Sequence, residues 1–362
     1  MPVGECLSIE TIAGTLRAAR EAWAGRSSSA MYVTDGELAG ITFSIDFDDP
    51  SLADAIFLTF GGTPPRRDSV NRAASITASI RCLDAPLDWG LVVPGGTAAL
   101  PIDGREFTFA VSLDDGPFET SRDAEWTLIS FRGDAEPLMA FDGEVLLFRA
   151  DRDWRKAVSI YLFCRLQRAR EDVIFLHAGS IGINGRGMLI IGPKGAGKST
   201  TTMALAARGH HFLGDECGAY VPSTRTLLPF RRPVGIKPGP RSAIIAAAIP
   251  HARRVVSGEG FVRIALDELI AVNHSPNRSN DELPLDSVIF LRGFRDEPQL
   301  ISIEPTRDDI GALQPIAGSL INTAGTRRVF QLVDMLAHAR VFALHPADPD
   351  RTAIYLEEVL SS

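Results

Sequence analysis

The spacing of hydrophobic and polar positions changes near residue 150. From Met31 to Phe148 the apolar residues come in short runs, at 40–46, 55–60, 75–82, 107–113, 126–131 and 144–148. Turn-forming clusters separate them, among them Asp48-Asp49-Pro50, Pro94-Gly95-Gly96 and Asp114-Asp115-Gly116-Pro117. Short strands with this punctuation predict a mainly antiparallel β domain over 1–150, led by a short amphipathic helix at 10–23. Beyond Ala150 the period lengthens. Residues 151–170 read as a long helix with an apolar stripe of Trp154, Val158, Tyr161, Leu162, Cys164 and Leu166. A buried strand over 188–191, a glycine-rich loop and a helix over 199–208, ended by Gly209, come next. A further strand over 212–215 is expected to lie beside the strand at 188–191. Helices at 326–337 and 350–360 close the chain. Alternating strands and helices predict an α/β domain over 151–362.

The glycine-rich loop carries the clearest chemistry. Gly192-Pro193-Lys194-Gly195-Ala196-Gly197-Lys198-Ser199 matches the phosphate-binding P-loop at every fixed position. Its strand–loop–helix setting is the context that gives such a match physical meaning. Backbone N–H groups and the positive end of the following helix offset the cost of burying a polyphosphate. The glycines permit tight or left-handed backbone and keep side chains out of the way. Lys198 is expected to reach the β- and γ-phosphates of ATP, and the Ser199 hydroxyl to ligate Mg²⁺. Thr200 completes the nucleotide-binding segment.

An acidic pair, Asp215-Glu216, follows the next strand and is expected near the bound phosphates. One carboxylate can accept a hydroxyl proton while the other helps hold Mg²⁺. Taken alone, the pair fits a solvated turn equally well; the adjacent P-loop favours the chemical role.

These residues resemble a known family. Phe175-Leu176-His177-Ala178-Gly179-Ser180 precedes the P-loop strand, and Arg208-Gly209-His210-His211-Phe212-Leu213-Gly214-Asp215-Glu216 follows its helix. This order resembles the catalytic domain of bacterial HPr kinase/phosphorylase and its broader relatives, related in fold to PEP carboxykinase. The resemblance covers 151 onward. It implies a mixed sheet with helices, and transfer of the ATP γ-phosphoryl group to a serine hydroxyl of a small protein or peptide. It implies proton transfer by Asp215, a second acid at Glu216 where aspartate is usual, and His177 near the reacting phosphate. Some relatives accompany ribosomal-peptide gene clusters and phosphorylate a lasso-peptide precursor. The HPr enzymes form oligomers, so a homo-oligomer is part of the expectation.

Composition narrows the alternatives. The chain has 362 residues, 45% hydrophobic and 23% charged, with a formal net charge of −8. Two domains fit that length. The acidic balance disfavours nucleic acid as a partner. The longest apolar run, 243–249, is too short to span a bilayer. Four scattered cysteines and an amino terminus without an apolar core suggest a cytoplasmic protein with reduced thiols. Arg225, Arg231, Arg232, Lys237 and Arg241 form a cationic cluster. Arg232 and Lys237 are the candidates for a second phosphate clamp; a solvated loop explains the cluster equally well. Three other functions stay open: a nucleotide hydrolase acting as a switch, a small-molecule kinase and a non-catalytic nucleotide sensor. The 1–150 domain is the candidate for substrate recognition.

Overall fold

The computed structural model describes residues 32–47, 66–67, 73–82, 89–93, 118–123, 126–131, 139–141, 146–149, 166, 169–236, 254–256, 262–264, 282–317 and 326–360. The expected strands at 55–60 and 107–113 and the helix at 10–23 lie outside these residues. So does the helix expected over 151–170, apart from Leu166, Ala169 and Arg170. The chain divides into two compact units. One comprises Met1–Glu37, Ile41–Ala169 and Gly318–Asn322; the other comprises Leu38–Gly40, Arg170–Ala317 and Thr323–Ser362.

The first unit contains β1 (Tyr32–Leu38), β2 (Ile41–Phe47), β3 (Arg66–Arg67), β4 (Ile76–Cys82), β5 (Trp89–Val93), β6 (Phe118–Asp123), β7 (Trp126–Phe131), β8 (Met139–Phe141) and β9 (Leu146–Arg149). They form a sheet in the order β3-β1-β2-β4-β5-β9-β8-β7-β6. The strands from β4 to β6 along this order pair antiparallel, as the punctuated pattern predicts, whereas β2 and β4 run parallel. Val33, Phe43, Ile45 and Phe47 are buried.

The second unit is mixed α/β. Its strands are β10 (Ile174–Leu176), β11 (Gly179–Ile183), β12 (Arg186–Ile191), β13 (His211–Gly214), β14 (Gly218–Val221), β15 (Thr226–Leu228), β16 (Val234–Ile236), β17 (Arg254–Val256), β18 (Val262–Ile264), β19 (Leu283–Leu291), β20 (Gln299–Ser302) and β21 (Arg340–His345). Its described helices are α1 (Lys198–Ala207), α2 (Arg307–Ala317), α3 (Thr326–His338) and α4 (Pro349–Leu360). The main sheet runs β10-β14-β15-β19-β12-β11-β13, with β21 paired to β19 and β20, while β16-β18-β17 form a small sheet of their own. The core of the main sheet is parallel: β12 pairs with β19, and β19 with β21.

Parallel strands buried on both faces read as continuous apolar runs, and β12 and β19 do so. Side chains alternate between the faces. Met188, Ile190, Ile289 and Leu291 pack with Met203 and Leu205 of α1 and Leu356 and Leu360 of α4. Leu189, Ile191, Val288 and Phe290 pack with Leu313 of α2 and Leu332, Met335 and Leu336 of α3. Helices thus cover both faces. Each fully buried Leu or Phe contributes about 1.5–3 kcal/mol of transfer free energy.

The structure corrects the expected place of the strand after α1. β13 does not lie beside the P-loop strand; it pairs with β11, which intervenes. The reason is the turn Asn184-Gly185, with φ of 51° and 78°. Two consecutive left-handed residues close a two-residue hairpin whose twist matches its strands, and Ile183 sits opposite Arg186. This local hairpin takes one edge of β12 and parallel β19 takes the other. β13 adds outside β11, with a register shift at Ser180/Ile181.

The end of α1 is tied to α4. The Arg208 guanidinium donates to both carboxylate oxygens of Glu357 at 2.6 and 2.7 Å, and His210 Nε2 lies 2.7 Å from Glu357 Oε1. His211 Nε2 meets Arg231, whose Nε also donates to the Phe212 carbonyl at 2.9 Å. Both histidines, and Arg231 of the cationic cluster, therefore have partners that brace the fold.

Candidate functional site

The P-loop leaves the end of β12 and turns into α1. Gly195 and Gly197 have φ of 81° and 103°, a left-handed backbone that a side chain would strain. At Gly192 a Cβ would come within 3.0 Å of Leu291 and 3.2 Å of Ala196. Gly197 is the N-cap of α1 and supplies no side-chain cap. The first N–H groups of the helix therefore lack an intrahelical acceptor and can turn to an anion. Pro193, Lys194 and Gly195 are exposed; Gly192, Ala196, Gly197, Ser199 and Thr200 are half-buried.

Lys198 opens the helix and is 8% exposed. Its ammonium donates to the Gly192 carbonyl at 2.7 Å and the Pro193 carbonyl at 3.3 Å. The cation is thereby held within the loop.

Asp215 follows the last residue of β13 and is 3% exposed. Neither of its carboxylate oxygens has a hydrogen-bond partner. Burial, reinforced by the negative charge of Glu216, pushes its pKa from the ordinary 3.8 up to about 7. Ser199, the Glu216 backbone N–H and Lys198 pull the other way, although the Ser199 hydroxyl and the Glu216 N–H both stop short of a formed hydrogen bond. The carboxylate is therefore electrostatically coupled to two P-loop residues.

The turn around Asp215 is tightly constrained. A Cβ on Gly214 would lie 2.6 Å from the Phe230 carbonyl oxygen and 2.8 Å from that of Cys217. Glu216 has φ of 63° and is exposed. This left-handed conformation costs a non-glycine residue about 1–2 kcal/mol. It turns the Glu216 carbonyl toward His177, whose Nδ1 lies 3.1 Å away. A carbonyl only accepts, so Nδ1 carries the proton and Nε2 keeps the lone pair in the neutral ring. His177 sits half-buried between β10 and β11.

Arg232 is half-buried and lowers the pKa of the buried Cys217 thiol, which burial raises far more. It acts two residues beyond Asp215. Lys237, its proposed partner, lies outside the described residues. Among those described, no three His, Cys, Asp or Glu side chains converge on a metal cage. The two orphaned oxygens of Asp215 beside the Ser199 hydroxyl nevertheless form the hard-oxygen donor set that Mg²⁺ takes together with substrate phosphates.

Residues not singled out by sequence reasoning also border the P-loop. A Cβ placed on Gly197 would lie 3.3 Å from the Phe294 ring. Phe294 belongs to the segment that leaves β19. Its signal was the apolar run Val288-Ile289-Phe290-Leu291 ending at Arg292-Gly293, about 95 residues beyond the P-loop. Thr202, in the second turn of α1, is fully buried with its hydroxyl unpartnered. It fits because Gly179 has no side chain: a Cβ there would come 2.0 Å from Thr202 Oγ1.

No protein-family model matches the chain, and no curated protein matches it in sequence. Among solved structures it is similar to the HPr(Ser) kinase/phosphatase from Coxiella burnetii, at 14% identity over 52% of this chain and 88% of that one, with a TM-score of 0.26. No described helix is long and apolar enough to cross a membrane.

Proposed function

We propose that the chain is an ATP- and Mg²⁺-dependent kinase that transfers the γ-phosphoryl group to a serine hydroxyl of a small protein or peptide. The observation that carries this reading is Asp215: a buried carboxylate without hydrogen-bond partners, with a pKa near 7 and coupled to Lys198 and Ser199. A general base works best with a pKa close to the operating pH. A carboxylate held only for structure would be expected to have its oxygens hydrogen-bonded.

The P-loop and the first turn of α1 position the triphosphate, and Lys198 exchanges its two carbonyl partners for β- and γ-oxygens. Asp215 accepts the serine proton as Oγ bonds to the γ-phosphorus. The bond from that phosphorus to the bridging oxygen breaks, and ADP leaves. His177, fixed by the Glu216 carbonyl, adds to the electrostatics around the transferred group. Ser199 and a carboxylate of Asp215 or Glu216 would hold Mg²⁺, which would supply charge neutralisation for the transferred group. Positioning and charge neutralisation supply most of the rate in phosphoryl transfer. The serine and peptide preference rests on the motif resemblance, as does a ribosomal precursor peptide as the acceptor.

The test is Asp215→Asn. The variant should bind Mg·ATP with near-normal affinity in calorimetry and lose most transfer to a peptide library read by mass spectrometry. Undiminished transfer would remove Asp215 as the base. ATP turnover that no acceptor accelerates would favour a hydrolase.

A further inference from the structure

Because β12 and β19 are parallel, with Ile191 opposite Phe290, their carboxyl ends coincide. The P-loop leaves one strand and residues 292–297 leave the other, side by side. In open α/β sheets this end of the strands is where ligands bind.

The backbone of 292–297 is pinned on both sides of Phe294. The Arg292 N–H donates to the Leu344 carbonyl at 2.8 Å, and the Arg295 N–H to the Pro346 carbonyl at 3.0 Å. His345 Nδ1 lies 2.9 Å from the Gly293 carbonyl, which accepts its proton. Every residue from Arg292 to Glu297 is exposed, yet the single apolar side chain among them is a phenylalanine, 43% exposed. Its ring edge borders Gly197, the residue that begins α1.

We propose that Phe294 is the stacking platform for the base of a nucleoside triphosphate whose phosphates occupy the 192–199 loop. The inference rests on the nucleotide reading above and adds the base subsite. A flat aromatic face on an anchored backbone, beside an anion-binding helix end, suits a ligand with charge at one end and a π-face at the other. One ring among polar neighbours gives too little apolar area for a protein interface. Stacking tolerates any base, so Phe294 contributes to ATP and GTP binding alike and discriminates weakly between them.

Calorimetry on the full chain with Mg·ATP, Mg·GTP and tripolyphosphate tests the platform. Phe294→Ala should weaken both nucleotides by about tenfold or more, leave tripolyphosphate within about twofold and keep the far-ultraviolet circular dichroism of the wild type. Phe294→Trp should bind nucleotides as the wild type does, which guards against a folding artefact. ATP binding by Phe294→Ala within about twofold of wild type overturns the platform alone. An equal loss for tripolyphosphate overturns it too, and makes the ring a support of the phosphate loop. A wild-type protein that binds neither nucleotide nor tripolyphosphate overturns the underlying nucleotide reading.

Discussion

His177 Nδ1 and the Glu216 carbonyl oxygen meet at 3.1 Å, across the turn that buries Asp215. The contact joins the segment before the P-loop to the acidic pair after it. His177→Ala removes the donor and leaves a left-handed Glu216 without its restraint. Stability should fall by about 1 kcal/mol, and phosphotransfer should fall more than ATP affinity does. Thermal melts with parallel kcat and Kd measurements check this. Equal losses in transfer and affinity would mean a purely structural role.

Glu216→Gly tests the same turn from the other side. Glycine adopts a φ of 63° without the Cβ penalty, so the variant should be more stable by about 1 kcal/mol. Its Mg²⁺ dependence separates the two candidate acids. An unchanged metal requirement assigns the ligand role to Asp215 alone.

Asp215 sets two opposite pH trends. Its folded pKa, about 7, lies above the unfolded 3.8, so the native state binds the proton more tightly. Stability should therefore fall as pH rises from near 4 to above 7, by up to roughly 4 kcal/mol. kcat/KM should rise over the upper part of that range as the base loses its proton. Asp215→Asn should abolish both trends, its stability relative to wild type improving from pH 5 to pH 8. A wild-type rate profile without an ionisation near 7 would remove the carboxylate from the chemistry.

Glu357 behaves in the opposite sense. Its pKa is lowered, chiefly by the hydrogen bonds from Arg208, which outweigh desolvation, with a lesser contribution from His210. Its contribution is present above the unfolded value near 4.5 and is lost as pH falls through the lower folded value. Glu357→Gln should cost about 1 kcal/mol at neutral pH, the range of a partly exposed ion pair, and less at pH 3. Chemical denaturation at the two pH values measures the difference.

Gly214→Ala places a Cβ 2.6 Å from a backbone oxygen that cannot swing aside. The β13 turn must shift and carry Asp215 with it. A loss of more than about 2 kcal/mol and of most transfer is expected. Unaltered melting and activity would show that the turn yields easily.

Local features were legible in the sequence, and non-local ones were not. The strand, loop and helix around Gly192–Ser199 appear within two residues of their expected bounds, because apolar period and glycine spacing act over a few residues. The closing helices appear at Thr326–His338 and Pro349–Leu360 for the same reason. The order of strands did not follow. The Asn184-Gly185 turn was present in the sequence, but its effect on β13 depends on which strand reaches the edge of β12 first. Phe294 was hidden by separation: its place is set by the pairing of β12 with β19. Arg208 and His210 belong to the recognised motif, yet here both spend their side chains on Glu357, a partner about 150 residues away.

The two flanks of β12 are built on different length scales. His177, Lys198 and Asp215 fall within one stretch of about forty residues closed by a hairpin and a single crossover. The wall after β19, residues 292–297, must wait for about eighty further residues to be synthesised. Closing the longer loop carries the larger entropic cost. During synthesis, the reactive groups can meet well before anything shelters the far side of the loop.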